Sequence, residues 1–162
     1  MYHSTGGGTL VLDCTNTMAS DLIISARGGM VSVAKMGNQG AIDSNLGCGT
    51  SIFFQNEGNG CLIYTGSGET SDRLINFSKN ARLDQSGTGD LILTQDLVVG
   101  ANTKTLTLMG SGTGAGEIAG VTFEGVVGKG GTGHAQVRAK AKTQAWVDAV
   151  VAQYGADATP IL

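Results

Sequence analysis

Short apolar runs separated by turn-forming residues are the dominant pattern along this chain. Each run holds about four to six residues, and clusters of Gly, Asn, Ser and Asp recur about every ten residues, which is typical of an all-β protein. Several runs alternate apolar and polar residues, as in Leu106-Thr107-Leu108, which predicts strands with one buried and one solvated face. The predicted strands are residues 9–12, 21–24, 30–33, 51–54, 61–64, 73–77, 90–93, 97–99, 104–108 and 120–127.

An internal echo among these runs favours a solenoid over a sandwich or a barrel, although the spacing alone fits all three. Residues 8–12, 60–64 and 89–93 share one pattern, a glycine, a variable residue and three mainly apolar residues. Repetition of this kind is typical of stacked coils. The two-residue Asn-Gly and Asp-Gly turns of antiparallel hairpins are also rare in this chain. The sequence therefore predicts a parallel β-solenoid.

The composition changes after residue 130. From Ala135 to Tyr154 there is no glycine and no proline, and Trp146, Val150 and Tyr154 follow the i, i+4, i+8 spacing of one helix face. Gly155 occupies the position of a helix-terminating glycine. This pattern predicts one amphipathic helix, and it divides the chain into a β-solenoid body at 1–130 and a helical element at 131–162.

The predicted helix is the candidate docking or capping element. Arg138, Lys140 and Lys142 lie in its first half, where the helix dipole disfavours cations, so they form either a solvated face or a contact with an acidic partner. The apolar positions Trp146, Val150 and Tyr154 complete this candidate set. A short solenoid also exposes an apolar layer and unpaired strand edges at an uncapped end. We therefore expect self-association, with a trimer as one arrangement, or assembly onto a larger protein structure.

Composition narrows the classes of function. Glycine is abundant, with 27 residues, whereas proline occurs once, which suits frequent turns and close backbone packing rather than collagen. The net charge of −3 and the few aromatic residues give no basis for nucleic-acid binding. No apolar run is long enough to span a membrane. The N-terminal residues lack the pattern of a signal peptide, so we expect either folding inside the producing cell or excision from a longer secreted protein.

One glycine-rich segment matches a nucleotide-binding motif. Residues 128–133 fit G-x-G-x-x-G between a predicted strand and the predicted helix, and Asp148 lies about twenty residues further on. The chain after this segment is too short for the rest of a doubly wound sheet, and the residues before it predict no crossover helices. We therefore predict no cofactor.

Catalytic and metal-binding patterns are weak. Asp72, Asp84 and Asp90 are the candidates for the paired carboxylates of a polysaccharide-cleaving enzyme, but acids at strand ends and turns are more often backbone caps. Asp72 and Arg73 are interpreted as a surface ion pair. No zinc or calcium motif occurs, and the three cysteines, Cys14, Cys48 and Cys61, are predicted to be small buried apolar residues. We predict no enzymatic activity and assign no catalytic or metal-binding residue.

The stretch from Gly8 to Gly120 resembles the autotransporter-associated β-strand repeat, also called the passenger-associated transport repeat. The matching pieces are residues 8–12, 44–47, 60–73, 86–93 and 105–110, which together extend over about two thirds of the chain. The resemblance implies a right-handed parallel β-helix that serves as a stalk or display scaffold, with no catalytic residues to transfer. In that family the pattern tends to continue beyond residues 131–133 into another strand, whereas here the composition changes.

These observations predict that the chain is a non-catalytic structural protein that assembles onto a larger surface or particle. The first interpretation is a virion component, such as a capsid decoration or fibre protein on the virion surface. The alternative is a β-helical passenger repeat module of a secreted bacterial surface protein or adhesin, located extracellularly or on the cell surface. A polysaccharide-acting β-helix enzyme is a third hypothesis.

Overall fold

A computed structural model describes residues 2–4, 7–26, 28–55, 59–99, 106–118, 121–124 and 136–139. All regular elements in these ranges are β-strands. Within the same ranges no helix is long and apolar enough to cross a membrane. The strands are β1 (Tyr2–Ser4), β2 (Thr9–Leu12), β3 (Leu22–Ala26), β4 (Met30–Val33), β5 (Ser51–Gln55), β6 (Gly60–Tyr64), β7 (Ser67–Ser71), β8 (Leu74–Phe77), β9 (Ala81–Gln85), β10 (Gly89–Leu93), β11 (Val98–Val99), β12 (Leu106–Met109), β13 (Ala115–Ile118), β14 (Val121–Glu124) and β15 (Gln136–Ala139).

The strands form three sheets that the chain visits in turn. Sheet 1 has the order β1-β3-β5-β8-β11, sheet 2 the order β2-β4-β6-β9-β12, and sheet 3 the order β7-β10-β13-β14-β15. All pairs in sheets 1 and 2 are parallel, as are β7-β10 and β10-β13 in sheet 3. The molecule is therefore a parallel β-solenoid of about four turns, which confirms the predicted architecture.

The core consists of inward-facing apolar side chains stacked in columns along the solenoid. In sheet 2 the register aligns Val31 with Leu62 and Leu62 with Leu83, and all three side chains are buried. In sheet 1 the register likewise aligns Ile24 with Phe54. Because successive strands lie about 4.8 Å apart, each inner side chain contacts the equivalent side chains of the neighbouring coils. Alternation along each strand thus produces one continuous core.

The corner between sheets 2 and 3 depends on glycine. The sequence Ser-Gly-Thr-Gly occurs at residues 86–89 and again at residues 111–114, and the two copies stack directly. Ser111 N donates a hydrogen bond to Ser86 Oγ at 3.2 Å. A Cβ atom on Gly89 would lie 1.8 Å from Ser67 O, and one on Gly112 would lie 2.0 Å from Gly87 O. The backbones of adjacent coils therefore approach more closely here than a side chain permits.

The C-terminal prediction requires a correction. Residues 136–139 form strand β15 rather than the start of a helix, and β15 pairs antiparallel with β14, which pairs antiparallel with β13. The edge of β14 offers unpaired backbone groups, and such tertiary pairing outweighs weak helix propensity. Residues 140–162, with the rest of the predicted helix, lie outside the described residues. The boundary at residue 130 and the right-handed sense of the coil remain predictions.

We predict that Gly89→Ala destabilises the protein, because its methyl group would overlap the backbone of the preceding coil. Overpacking of this kind costs about 1–3 kcal/mol, and chemical denaturation measures the loss of unfolding free energy. Gly8→Ala is the matched control, since no atom lies within 4 Å of its Cβ position. Equal stability of the two variants would contradict the stacked corner.

Candidate interaction surface

One long loop interrupts the regular coils. In the second coil, residues 34–50 take the place that strands of sheet 3 take in later coils, and we call this segment the excursion. Met36 and Leu46 are fully buried near its two ends. Asn45 N donates to Lys35 O at 2.9 Å, and Lys35 N donates to Asn45 Oδ1 at 2.7 Å. Residues 35–45 therefore form a closed loop of the Ω type, a class that is frequently functional.

Acidic side chains of the third coil hold the excursion from one side. The Glu69 carboxylate accepts hydrogen bonds from Met36 N at 2.6 Å and from Gly37 N at 2.9 Å. The Asp72 carboxylate accepts a hydrogen bond from Gln39 N at 2.7 Å. These backbone donors have no sheet partner, so the carboxylates satisfy groups that burial would otherwise leave unpaired. Asp72, a candidate catalytic acid in the sequence, is therefore a backbone cap.

Arg73 is the central support of the excursion. Its Nε donates to Met36 O at 2.9 Å and to Gly37 O at 3.2 Å. Its Nη groups donate to Gly49 O, to Gly47 O and, at 3.2 Å, to Ser44 Oγ. The planar guanidinium presents five donors in fixed directions, so one side chain can satisfy several carbonyls of a loop that lacks a ladder.

The expected surface ion pair between Asp72 and Arg73 is therefore wrong, because Arg73 is only 1% exposed. Desolvation lowers the pKa of Arg73, and the negative charge of Asp72 opposes that shift. An arginine nevertheless keeps its proton in proteins. The charge is thus buried against backbone carbonyl dipoles.

The first coil holds the excursion from the opposite side. Asn45 Nδ2 donates to Cys14 O at 3.0 Å, and Cys48 N donates to Met18 O at 2.7 Å. The Asp21 carboxylate accepts a hydrogen bond from Thr50 N at 2.7 Å. Among the described residues every buried side-chain nitrogen and oxygen has a hydrogen-bond partner. The excursion is consequently fixed between two neighbouring coils.

The fixed excursion presents an aliphatic side chain to solvent. Ile42 is 72% exposed, and its neighbour Asp43 forms an exposed ion pair with Lys35. The hydrogen bond from Lys35 lowers the pKa of Asp43. A loop positioned by a rigid scaffold is where binding residues are commonly found. Ile42 with the Lys35–Asp43 pair is therefore our candidate interaction surface.

The structure does not bring the other candidate acids onto one face. Asp84 lies on β9 in sheet 2 and accepts a hydrogen bond from Ser86 Oγ. Asp90 lies on β10 in sheet 3 and accepts Ala115 N at 2.8 Å. Within the described ranges no cluster of His, Cys, Asp or Glu could hold a metal ion. An internal cavity lined by Met36, Leu62, Tyr64 and Leu91 holds only about 10 Å³, about one water molecule.

The cysteines differ in environment, and all three are free thiols. Cys61 is buried as predicted, and burial raises the pKa of its thiol to about 11. Cys48 is partly buried. Cys14 is exposed, so its predicted burial is wrong. It lies in the loop of the first coil, where its backbone carbonyl accepts a hydrogen bond from Asn45 of the excursion.

Most of the predicted docking residues lie outside the part of the chain that the structure describes. Arg138 lies on strand β15. The other five, Lys140, Lys142, Trp146, Val150 and Tyr154, lie outside the described residues, as do the glycine motif at 128–133 and Asp148. The docking role of all six residues remains a prediction.

The residues that support the excursion were not identified from the sequence. The signal was the unusually long interval between β4 and β5, which is rich in Gly and Asn and holds no strand. A polar group that includes Glu69 and Arg73 follows one coil later. In a solenoid, residues one coil apart are neighbours, so this group was the natural partner for an unpaired loop.

The chain is similar to the adhesin BmaC autotransporter of Brucella suis biovar 1 (strain 1330), with 33% identity over 112 residues. The alignment covers 68% of this chain and 3% of the adhesin, so the chain spans a small fraction of that protein's length. No protein-family model and no solved structure matches the chain. The similarity agrees with the resemblance to autotransporter β-strand repeats, without identifying a particular repeat family.

We predict that Arg73→Met lowers the free energy of unfolding by more than about 3 kcal/mol, because several buried carbonyls lose their donor at about 1–3 kcal/mol each. Hydrogen exchange should become faster at Gly37 and Leu46. Arg82→Met is the control, since among the described residues Arg82 donates to two carbonyls, those of Asn59 and Gly28, from a partly exposed position. A loss no larger than that of the control would contradict the support role.

Proposed function

We propose that this chain is a non-catalytic β-solenoid module of a secreted, surface-exposed protein of the adhesin type. The parallel stacking of its coils carries the proposal, because such a stack makes a stiff scaffold that displays loops along its length. The similarity to an autotransporter adhesin supports the same conclusion. It favours an extracellular or cell-surface location, whereas no comparison supports a virion component.

The absence of catalysis is part of this proposal. The three candidate acids, Asp72, Asp84 and Asp90, each accept a hydrogen bond that holds a turn or loop in place. Glycoside hydrolysis instead needs two carboxylates that face each other across a groove wide enough for a sugar. The small internal cavity among Met36, Leu62 and Tyr64 is too small for such a substrate. The module therefore acts through its outer surface.

We assign the recognition contact to the excursion. Its hydrogen bonds to the first and third coils are made within the module, so they need not form on binding. Preorganisation of this kind reduces the entropic cost of association. The exposed Ile42 can then insert into an apolar pocket of a protein partner, while Lys35 and Asp43 contribute polar contacts at the rim.

The first coil provides a second contact region. Strand β2 pairs only with β4 among the described strands, and Leu10 and Leu12 are partly exposed whereas Val31 and Val33 below them are buried. An unpaired strand edge above an incompletely covered apolar layer is suited to the addition of another β-strand. We propose that a neighbouring domain or a second copy covers this edge.

The location is tested by labelling intact cells that produce the protein with an antibody against this chain. We expect labelling without permeabilisation, because the module is displayed outside the cell. Detection only after permeabilisation, or co-purification with phage particles, would contradict the proposal.

The recognition contact is tested with beads that carry the purified chain. We expect the beads to adhere to host cells, and Ile42→Ala to weaken adhesion about 5–30-fold, the range for an interface residue worth 1–2 kcal/mol. Met109→Ala is the control, because Met109 is also an exposed apolar residue, at 38%, but lies on β12, at the edge of sheet 2 opposite to β2. Equal effects of both variants would argue against the excursion as the contact.

A further inference from the structure

The outer face of sheet 1 differs chemically from the rest of the body. Its five strands, as the structure describes them, contain no Asp, Glu, Lys or Arg. The strands of sheet 2 carry Arg82 and Asp84. Those of sheet 3 carry several charged residues: Glu69, Asp90, Glu117, Glu124 and Arg138. Sheet 1 is thus the one uncharged sheet of the described solenoid.

Alternation shows which side chains form this outer face. In β3 the buried Leu22 and Ile24 flank Ile23, which is only partly buried. In β5 the buried Ile52 and Phe54 flank Phe53 in the same way. Side chains alternate between the two sides of a strand, so Ile23 and Phe53 point away from the core.

The remaining members of the face follow from the register. Phe53 is aligned with Asn76, and Asn76 with Val98, which is 47% exposed. Leu74 is two residues before Asn76 on the same side of β8. Gln55 is likewise two residues after Phe53 on the same side of β5. The face, defined as Ile23, Phe53, Gln55, Leu74, Asn76 and Val98, is therefore a largely apolar stripe with two amides.

From this arrangement we propose that the outer face of sheet 1 packs against the same face of a second copy of the chain. Each copy has a net charge of −3, so two copies repel weakly overall, and contact through an uncharged surface adds no close charge–charge repulsion to this. Packing through sheet 2 or sheet 3 would require the desolvation of ionised side chains, which is unfavourable without paired partners.

The periodicity of the face also fits a second copy. Ile23, Phe53, Asn76 and Val98 follow one another at the strand spacing of about 4.8 Å. An identical column has the same spacing, so side chains of one copy fit between those of the other when two sheets pack face to face at about 10 Å. Other occupants fit less well, because an anionic membrane requires basic residues and a glycan requires several polar groups.

The expected contact is weak for a single module. Five strands of about four residues give a face of roughly 13 by 20 Å, on the order of 300 Å². Stable complexes bury about 800 Å² on each partner. We therefore expect dissociation constants in the upper micromolar range for the isolated chain.

Sedimentation velocity on the purified chain between about 10 µM and 1 mM tests this contact. We expect reversible dimer formation that Phe53→Lys weakens at least 10-fold, because it places a charge on the contact. Ile63→Lys is the matched control, since Ile63 is a partly buried outward residue of sheet 2, and it should dimerise as the unmodified chain does. Circular dichroism verifies that both variants fold.

A second substitution should strengthen the contact between the two copies instead of weakening it. Asn76→Leu removes the amide that is aligned directly with Phe53 and should strengthen the dimer several-fold, which a purely structural role of Phe53 would not predict. A chain that stays monomeric at 1 mM, or a dimer that persists in folded Phe53→Lys, would overturn the proposal. Weakening by Ile63→Lys to the same extent would also overturn it. None of these results depends on where the protein is located in the cell.

Discussion

The backbone hydrogen bonds between successive coils are the constraint on which the rest of this structure depends. They hold strands of adjacent coils in parallel register, so that Leu62 lies between Val31 and Leu83. The same spacing that forms the core forces the corners together. Where Gly89 lies against Ser67 O, only a residue without a side chain can complete the coil. The packing of the core and the glycine-rich corners therefore both follow from the same constraint, a constant distance between neighbouring coils.

The excursion shows how the protein compensates where this ladder is interrupted. Residues 34–50 contribute no strand, so their backbone groups need other partners. Glu69 accepts from the amides, and Arg73 donates to the carbonyls, of the same short segment. Side chains one coil away thus replace the missing strand pairing. The excursion also exposes an apolar side chain, Ile42, to solvent. The segment that interrupts the ladder is therefore the segment to which we assign recognition.

Alternation and internal repetition were sufficient to predict the β-solenoid and most strands of sheets 1 and 2. They missed β1, β9 and β13. They also missed β7, because Ser-Gly-Glu-Thr-Ser lacks the apolar residues that are typical of a strand, and this segment is ordered by pairing with β10. The burial of Arg73 could not be predicted from local sequence either, since it depends on carbonyls more than twenty residues away in sequence. For β15 a signal was present: the Gly-Thr-Gly that leads into β10 at residues 87–89 and directly precedes β13 at residues 112–114 recurs at residues 131–133, shortly before β15. The helix-like composition of residues 135–154 outweighed this signal in the prediction.

Engineered cross-linking measures the register of the coils most directly. Ser86 Oγ and Ser111 Oγ lie 2.9 Å apart on adjacent coils, and neighbouring strands have the separation that a disulfide requires. In a chain with its native cysteines replaced by alanine, Ser86→Cys with Ser111→Cys should form an intramolecular disulfide under mild oxidation. Ser86→Cys with Thr113→Cys, shifted by two residues, should not. Failure of the first pair, or equal cross-linking of both, would contradict parallel stacking in this register.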